Sequence, residues 1–114
     1  MTRYMLIAGG ADLDKRSGNP AFAQTMLEAY SAWVRSLVAA GRLVQTYKLY
    51  DQTGARLSMR GGEIVDGPFI ETKESIGGIF VVEAVSLEEA TSLARECPVL
   101  QLQNGFVEVR PVER

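Results

Sequence analysis

The chain has 114 residues, 46% hydrophobic and 23% charged, the size and composition of one globular domain and not of a disordered or collagen-like chain. It carries 12 basic and 14 acidic residues for a net charge of -2, so we expect no nucleic-acid partner. Histidine is absent and cysteine occurs once, which excludes Ser-His and Cys-His nucleophile pairs, His-ligated metals and an intramolecular disulfide.

The chain shows no pattern typical of a targeting signal or a membrane span. Its early apolar run, residues 4–8, is too short for a signal-peptide core and ends in a Gly-Gly pair. A single cysteine fits a reducing compartment. We therefore expect one domain over residues 1–114, a cytoplasmic location and no membrane partner.

The first half of the chain predicts a strand, a long helix and a second strand. Residues 3–8 are apolar and predict a short buried strand. Asn19 and Pro20 predict the start of the helix and Gly41 its end. Residues 43–50 are rich in β-favouring types. Large side chains at helical spacing predict the core face of the helix: Phe22, Met26, Ala29, Trp33 and Leu37.

The second half predicts a hairpin, a central strand, a helix and a last strand. Residues 55–60 and 63–66 flank a Gly-Gly pair, which predicts a hairpin with one face in water. Residues 76–85 are the most apolar segment and predict a central strand buried on both faces. Ser86 begins a Ser-x-x-Glu capping box, which predicts a second helix. Residues 106–110 alternate in polarity and predict a last strand.

The order of these elements predicts an α+β fold. It is the order of a ferredoxin-like βαββαβ sheet with an inserted hairpin, in which both helices pack on one face of the sheet. Residues 79–82 present apolar groups to both faces, so the uncovered face needs a partner. A closed two-fold dimer is the commonest homo-oligomer. We therefore expect a homodimer whose two sheets form a dimeric α/β barrel.

The most distinctive stretch is residues 66–74, and Asp66 is the candidate catalytic residue. Asp-Gly-Pro is turn chemistry, which alone accounts for these residue types. In the alternative interpretation, Pro68 and Phe69 shield the Asp66 carboxylate from water and make it a general base. Both interpretations stay open at the level of the sequence.

A small organic ligand between the two sheets would meet tyrosine hydroxyls, unless these rings only pack. Glu71 and Glu74 could hold a divalent cation or a cationic ligand from one helical turn, although such charge runs are usually a solvated surface. We expect no metal and no cofactor. The candidate ligand-binding residues are Tyr4, Tyr47, Asp66, Phe69 and Glu71.

The single thiol, Cys97, is predicted to be buried and unreactive. No basic residue adjoins it, and the neighbouring Glu96 disfavours the thiolate. It precedes Pro98, which we expect to mark the end of the second helix and not an active centre.

Three segments together carry a resemblance that spans essentially the whole chain: residues 65–74, which contain Asp-Gly-Pro-Phe, the Gly77-Gly78 pair, and residues 105–111. With them, the chain resembles the YCII-related family, in its subgroup named for the Asp-Gly-Pro-Phe motif. Residues 3–7 also look like the first strand of that subgroup. The resemblance implies a dimeric α+β barrel. It implies either a small-molecule enzyme related to isomerases and dehydrochlorinases, or an accessory protein encoded near alternative sigma factors.

The chain departs from the family pattern at histidine. Members considered catalytic use a His-Asp pair, and many have His-Pro where this chain has Cys97-Pro98. The absence of histidine therefore excludes histidine-dependent catalysis in this chain. We expect a small-molecule-binding protein in which Asp66 would serve any cofactor-independent proton transfer. The alternative is a non-catalytic accessory or regulatory dimer linked to alternative sigma-factor transcription.

Overall fold

A computed structural model of the chain describes residues 1–10, 20–49, 54–67 and 76–113. Within these residues the strands and helices follow the predicted order. They are β1 (Thr2–Gly10), α1 (Pro20–Ala39), β2 (Leu43–Lys48), β3 (Leu57–Arg60), β4 (Glu63–Asp66), β5 (Ile76–Ala84), α2 (Leu87–Ala94) and β6 (Gly105–Pro111). A 3₁₀ turn, Pro98–Gln101, joins α2 to β6.

Four strands form the main sheet in the order β2-β5-β1-β6, and every neighbouring pair is antiparallel. This mixed α+β architecture is compatible with a ferredoxin-like fold, as the sequence predicted. The apolar segment at residues 76–84 is a central strand, as expected. Neither helix in the described part of the chain is long and apolar enough to cross a membrane.

The strand register divides the sheet into two unlike faces. Along β5, Phe80 and Val82 are buried against the helices, whereas Ile79 and Val81 are only half-buried. The prediction that this strand is buried on both faces is therefore wrong for the single chain, because alternate side chains point to opposite faces and both helices lie on one of them. We call the other side the open face. Its described residues include Met5, Ile7, Gln45, Tyr47, Ile79, Val81 and Phe106.

Trp33 is the centre of the core between α1 and the sheet. Its ring meets Phe80 edge-on at 4.7 Å between centroids, an arrangement that stabilises beyond the area it buries. Its indole N–H donates to the Leu93 carbonyl at 3.2 Å, which ties α1 to α2. Trp33 and Leu37 of the predicted apolar stripe are buried, while Phe22 is half-buried at the start of the helix.

The helix ends follow local chemistry wherever they fall within the described residues. Gly41 has a φ of +70°, the left-handed conformation that commonly ends a helix. At α2, the Glu89 backbone N–H donates to Ser86 Oγ at 3.1 Å, which confirms the predicted cap. The Glu89 carboxylate also pairs with Arg42 at 2.9 Å. The predicted Asn19 cap of α1 lies outside the described residues.

The hairpin β3-β4 forms a separate two-stranded sheet. Gly61 and Gly62 have φ values of 58° and 83°, and positive φ at both central residues is typical of a type I′ turn. The two-residue hairpin turn at this Gly-Gly pair is as predicted. The prediction that only one face is wet is wrong, because the apolar face is also in water. Leu57, Met59 and Ile64 are 66%, 66% and 72% exposed.

The adjacent residues Leu37 and Val38 provide a matched test of this core. Leu37 is 1% exposed and Val38 is 60% exposed. Leu37→Ala leaves a cavity under the sheet, so we expect a loss of about 2–5 kcal/mol in the free energy of unfolding. Val38→Ala should change it by less than about 0.5 kcal/mol. Urea denaturation measures both, and equal losses would contradict the placement of α1.

Candidate functional site

The open face carries an apolar row with polar groups at one side. Met5 pairs with Val81 and Ile7 with Ile79 across β1 and β5. Such cross-strand neighbours have side chains on the same face. All four side chains are half-buried by one another, so water still reaches an apolar strip at the centre of the sheet.

Tyr47 supplies the exposed hydroxyl of this face. It pairs with Ile79 from the edge strand β2 and is 53% exposed. The Gln45 side-chain amide donates to the Tyr47 hydroxyl, which fixes the phenol beside the apolar row. A hydroxyl that accepts a hydrogen bond can still donate one. Tyr47 is therefore an exposed side chain of the open face, and its role in ligand binding stays a prediction.

Charged side chains lie at one end of the apolar row and along β6. Arg3 pairs in register with Glu83, and Arg110 contacts Glu108 at 3.3 Å in a largely exposed ion pair. Exposed pairs of this kind contribute little to stability. An apolar centre with a polar rim is the usual anatomy of a protein–protein interface.

Asp66 is the last residue of β4 and is exposed. It lies directly opposite Leu57 in the hairpin. Gly67, which follows it, has a φ of 105°, and its N–H donates to the Arg56 carbonyl at 2.7 Å. Of the turn chemistry predicted for this stretch, the positive φ of the glycine is thus present at Gly67. The predicted shield of Asp66 and the remaining candidates here lie outside the described residues: Pro68, Phe69, Glu71 and Glu74.

The prediction that Tyr4 faces the space between two sheets is wrong. Tyr4 is 6% exposed and belongs to the core. It pairs in register with Val82, which the helices cover. Side chains along a strand alternate between the two faces of the sheet, so Tyr4 points to the face that the helices cover. The open face receives its neighbour Met5 instead.

Cys97 is buried, as predicted, beneath the end of α2. Burial raises the pKa of its thiol, and the nearby Val99 backbone and Tyr30 hydroxyl only partly oppose that rise. Burial also raises the pKa of Tyr30, and Cys97 raises it further. The Cys97 Sγ and the Tyr30 hydroxyl lie 4.0 Å apart. Desolvation is therefore the main effect that disfavours the Cys97 thiolate. The sequence had instead pointed to the neighbouring charge of Glu96.

Sequence reasoning missed Gln45 and Phe106 as residues of the open face. The alternation of side chains along a strand could have identified them, because residues two positions apart point to the same face. Gln45 lies two positions from Tyr47, and Phe106 lies two positions from Glu108. Among the residues that the structure describes, no three acidic or cysteine side chains cluster closely enough to hold a metal ion. The described residues of this face thus offer apolar contact, hydroxyl and amide hydrogen bonds and, at the rim, charged groups.

Comparison with known proteins gives a matching family and a relative. The model of the YCII-related domain matches residues 3–114 of the chain. An uncharacterized protein of Rhizobium meliloti (strain 1021) is 36% identical over 92 residues, which cover 78% of this chain and 74% of that protein.

The buried pair of Cys97 and Tyr30 predicts a loss of stability at alkaline pH. Both pKa values are raised above their ordinary values, 9.0 for Cys97 and 10.0 for Tyr30, so the unfolded chain releases these protons first. The contribution of these two protonated groups to the free energy of unfolding is fully present below about pH 9. It is lost as the pH rises through their raised pKa values in the folded chain.

Urea denaturation in the presence of a reductant, at about pH 8 and about pH 10, measures this dependence. In Cys97→Ala the free energy of unfolding should fall less between the two pH values than in the unmodified protein. Leu37→Ala keeps both titrating groups and should retain the full pH dependence. An unchanged pH dependence in Cys97→Ala would show that its thiol is solvated in the folded state.

Proposed function

Since the chain belongs to the YCII-related family, we propose that it is a homodimeric small-molecule-binding protein whose ligand lies between two open faces. The observation that carries this proposal is the one-sided sheet. Helices cover one face, and the other presents Met5, Ile7, Ile79 and Val81 in a continuous row. We also assign the chain to the subgroup named for Asp-Gly-Pro-Phe, on residues 66–69.

A second copy of the chain is the simplest cover for this row. A two-fold axis through the sheet would bring the same apolar strip of each protomer together, as closed dimers require. Removing apolar surface from water contributes roughly 25 cal/mol per Å². The charged rim would remain at the edge of the contact, where it stays solvated.

The chemistry of the open face favours a small, weakly polar organic ligand. The apolar row would contact its carbon skeleton, while Tyr47 and Gln45 would hydrogen-bond its polar groups. A carboxylate at Asp66 would favour a neutral or weakly cationic ligand. If the protein is an enzyme, Asp66 would accept a proton without a cofactor, which requires that water be excluded from a side chain exposed in the single chain.

That exposure of Asp66 supports a second candidate function. Without histidine and without a buried base among the described residues, the dimer would act as a non-catalytic accessory or regulatory protein linked to alternative sigma-factor transcription. In both proposals the protein works in the cytoplasm. The two differ in whether a bound ligand is transformed.

Val81→Asp tests the dimer face. Val81 lies at the centre of the open face, where the second copy would bury an unpaired charge, so we expect sedimentation velocity to show a monomer. Val38→Asp introduces the same group on an exposed helix surface and should stay dimeric. A milder change, Val81→Ser, serves if the aspartate variant is insoluble. Dimers of unchanged stability in the Val81 variants would overturn the proposed interface.

Asp66→Asn tests the ligand site. A molecule from a library of small organic compounds that raises the Tm of the unmodified protein should raise that of Asp66→Asn much less. Turnover of a substrate found in this way should fall ~100-fold. Glu63→Gln, at the other end of β4, is the control and should respond normally.

If Asp66 only forms its turn, the asparagine serves equally well. Asp66→Ala alone then loses about 1 kcal/mol in the free energy of unfolding. Equal ligand stabilisation of the unmodified protein and Asp66→Asn would remove Asp66 from the site.

A further inference from the structure

Strand β6 is at one edge of the main sheet, and among the described strands only β1 pairs with it. Just beyond β6, the Val112 backbone N–H donates to the Arg3 carbonyl at 2.9 Å. In an antiparallel pair, alternate residues direct both of their backbone groups to the partner strand. Residues 106, 108 and 110 therefore bond to β1 as residue 112 does. The N–H and C=O groups of Val107 and Val109 point away from β1.

Pro111 agrees with this assignment. It lies two positions from Val109, so the N–H that it lacks would also have pointed away from β1. Proline is found in sheets where its missing N–H faces outward from an edge strand. We call Val107, Val109 and Pro111 the outer edge of β6. Such an edge is a template on which a further strand can pair.

The charges beside this edge have opposite signs. Glu108 and Arg110 flank Val109, and both are exposed on the open face. Their mutual contact of 3.3 Å within the strand contributes little to the stability of the chain. Charges of one sign along an edge would repel a second copy of the same strand in every antiparallel register. Here the two signs allow one register in which charges attract.

The register follows from which side chains would lie opposite each other. A second β6 centred on Glu108 or on Arg110 would place two like charges directly opposite, which is destabilising. One centred on Val107 would place Glu108 opposite Phe106. Centred on Val109, each Glu108 lies opposite Arg110 of the other copy, so that two pairs of opposite charge form. The outward backbone groups of the two Val109 residues then bond to each other.

We propose that β6 pairs antiparallel with β6 of a second copy about a two-fold axis at Val109. The proposal rests on the proposed homodimer and adds the contact that joins its two sheets. Main-chain hydrogen bonds along the edge would supply affinity, and the two charge pairs would fix the register. Two four-stranded sheets joined in this way make eight strands, a number that can close around one small ligand.

Charge reversal at one residue at a time tests this register. Glu108→Arg and Arg110→Glu each put like charges at both pairs of the homodimer, so sedimentation equilibrium should show either dimer weakened at least tenfold. When the two variants are mixed in equal amounts, both pairs regain opposite charges. Native mass spectrometry should then find heterodimer as more than about 80% of all dimer, against about 50% for random pairing.

Glu28→Arg and Arg35→Glu make the same changes of net charge at exposed positions of α1 and are the control. Each should dimerise like the unmodified protein, and the two should pair at random. Random pairing of the β6 variants, or an equal excess of heterodimer in the control mixture, would overturn the inference.

The outcome separates this inference from the proposed function. If the β6 variants dimerise like the unmodified protein while Val81→Asp is monomeric, the edge contact fails and the open-face dimer stands. If the unmodified protein is monomeric, both fail.

Discussion

Two helices can cover only one face of a four-stranded sheet, and side chains along each strand alternate between the faces. In this chain both sides of β1 and β5 are apolar. Tyr4, Leu6, Phe80 and Val82 meet the helices, so Met5 and Val81 must lie on the other side. The pairing of β1 with β5 that builds the core therefore also leaves an apolar row exposed to water on the other face.

This constraint places the candidate site outside the core of the chain. The aromatic cluster around Trp33 fills the space under the helices, and Cys97 and Tyr30 are held there in their neutral forms by burial. The candidate site residues that water reaches among the described ones, Tyr47 and Asp66, lie on the open face and on the hairpin. A site built from them depends on what covers both surfaces, which is why dimerisation and ligand binding are linked in the proposed function.

Features with local causes were predictable from the sequence. The Ser86 cap and the Gly61-Gly62 turn each depend on a few neighbouring residues, and both were predicted. Features set by distant contacts were not. Tyr4 and Tyr47 are both strand tyrosines, yet their pairing with β5 sends them to opposite faces. Similarly, a Cβ at Gly105 would clash with the Val99 carbonyl oxygen, a contact that only the folded chain reveals.

The candidate site was predictable to the same extent. The Asp-Gly-Pro-Phe stretch and Tyr47 stand out in the sequence, whereas Gln45 becomes relevant only because β2 directs it to the side of Tyr47. Hydrophobic patterning predicted two apolar faces for β5. It could not distinguish a face buried within the chain from one that awaits a partner, since both require the same residue types.

Sedimentation equilibrium of the unmodified protein at micromolar concentrations tests the central claim, that a second copy covers the open face. The account predicts a mass of twice the 12.5 kDa of the chain, with a monomer appearing only on dilution. A single species of 12.5 kDa at every concentration would contradict it.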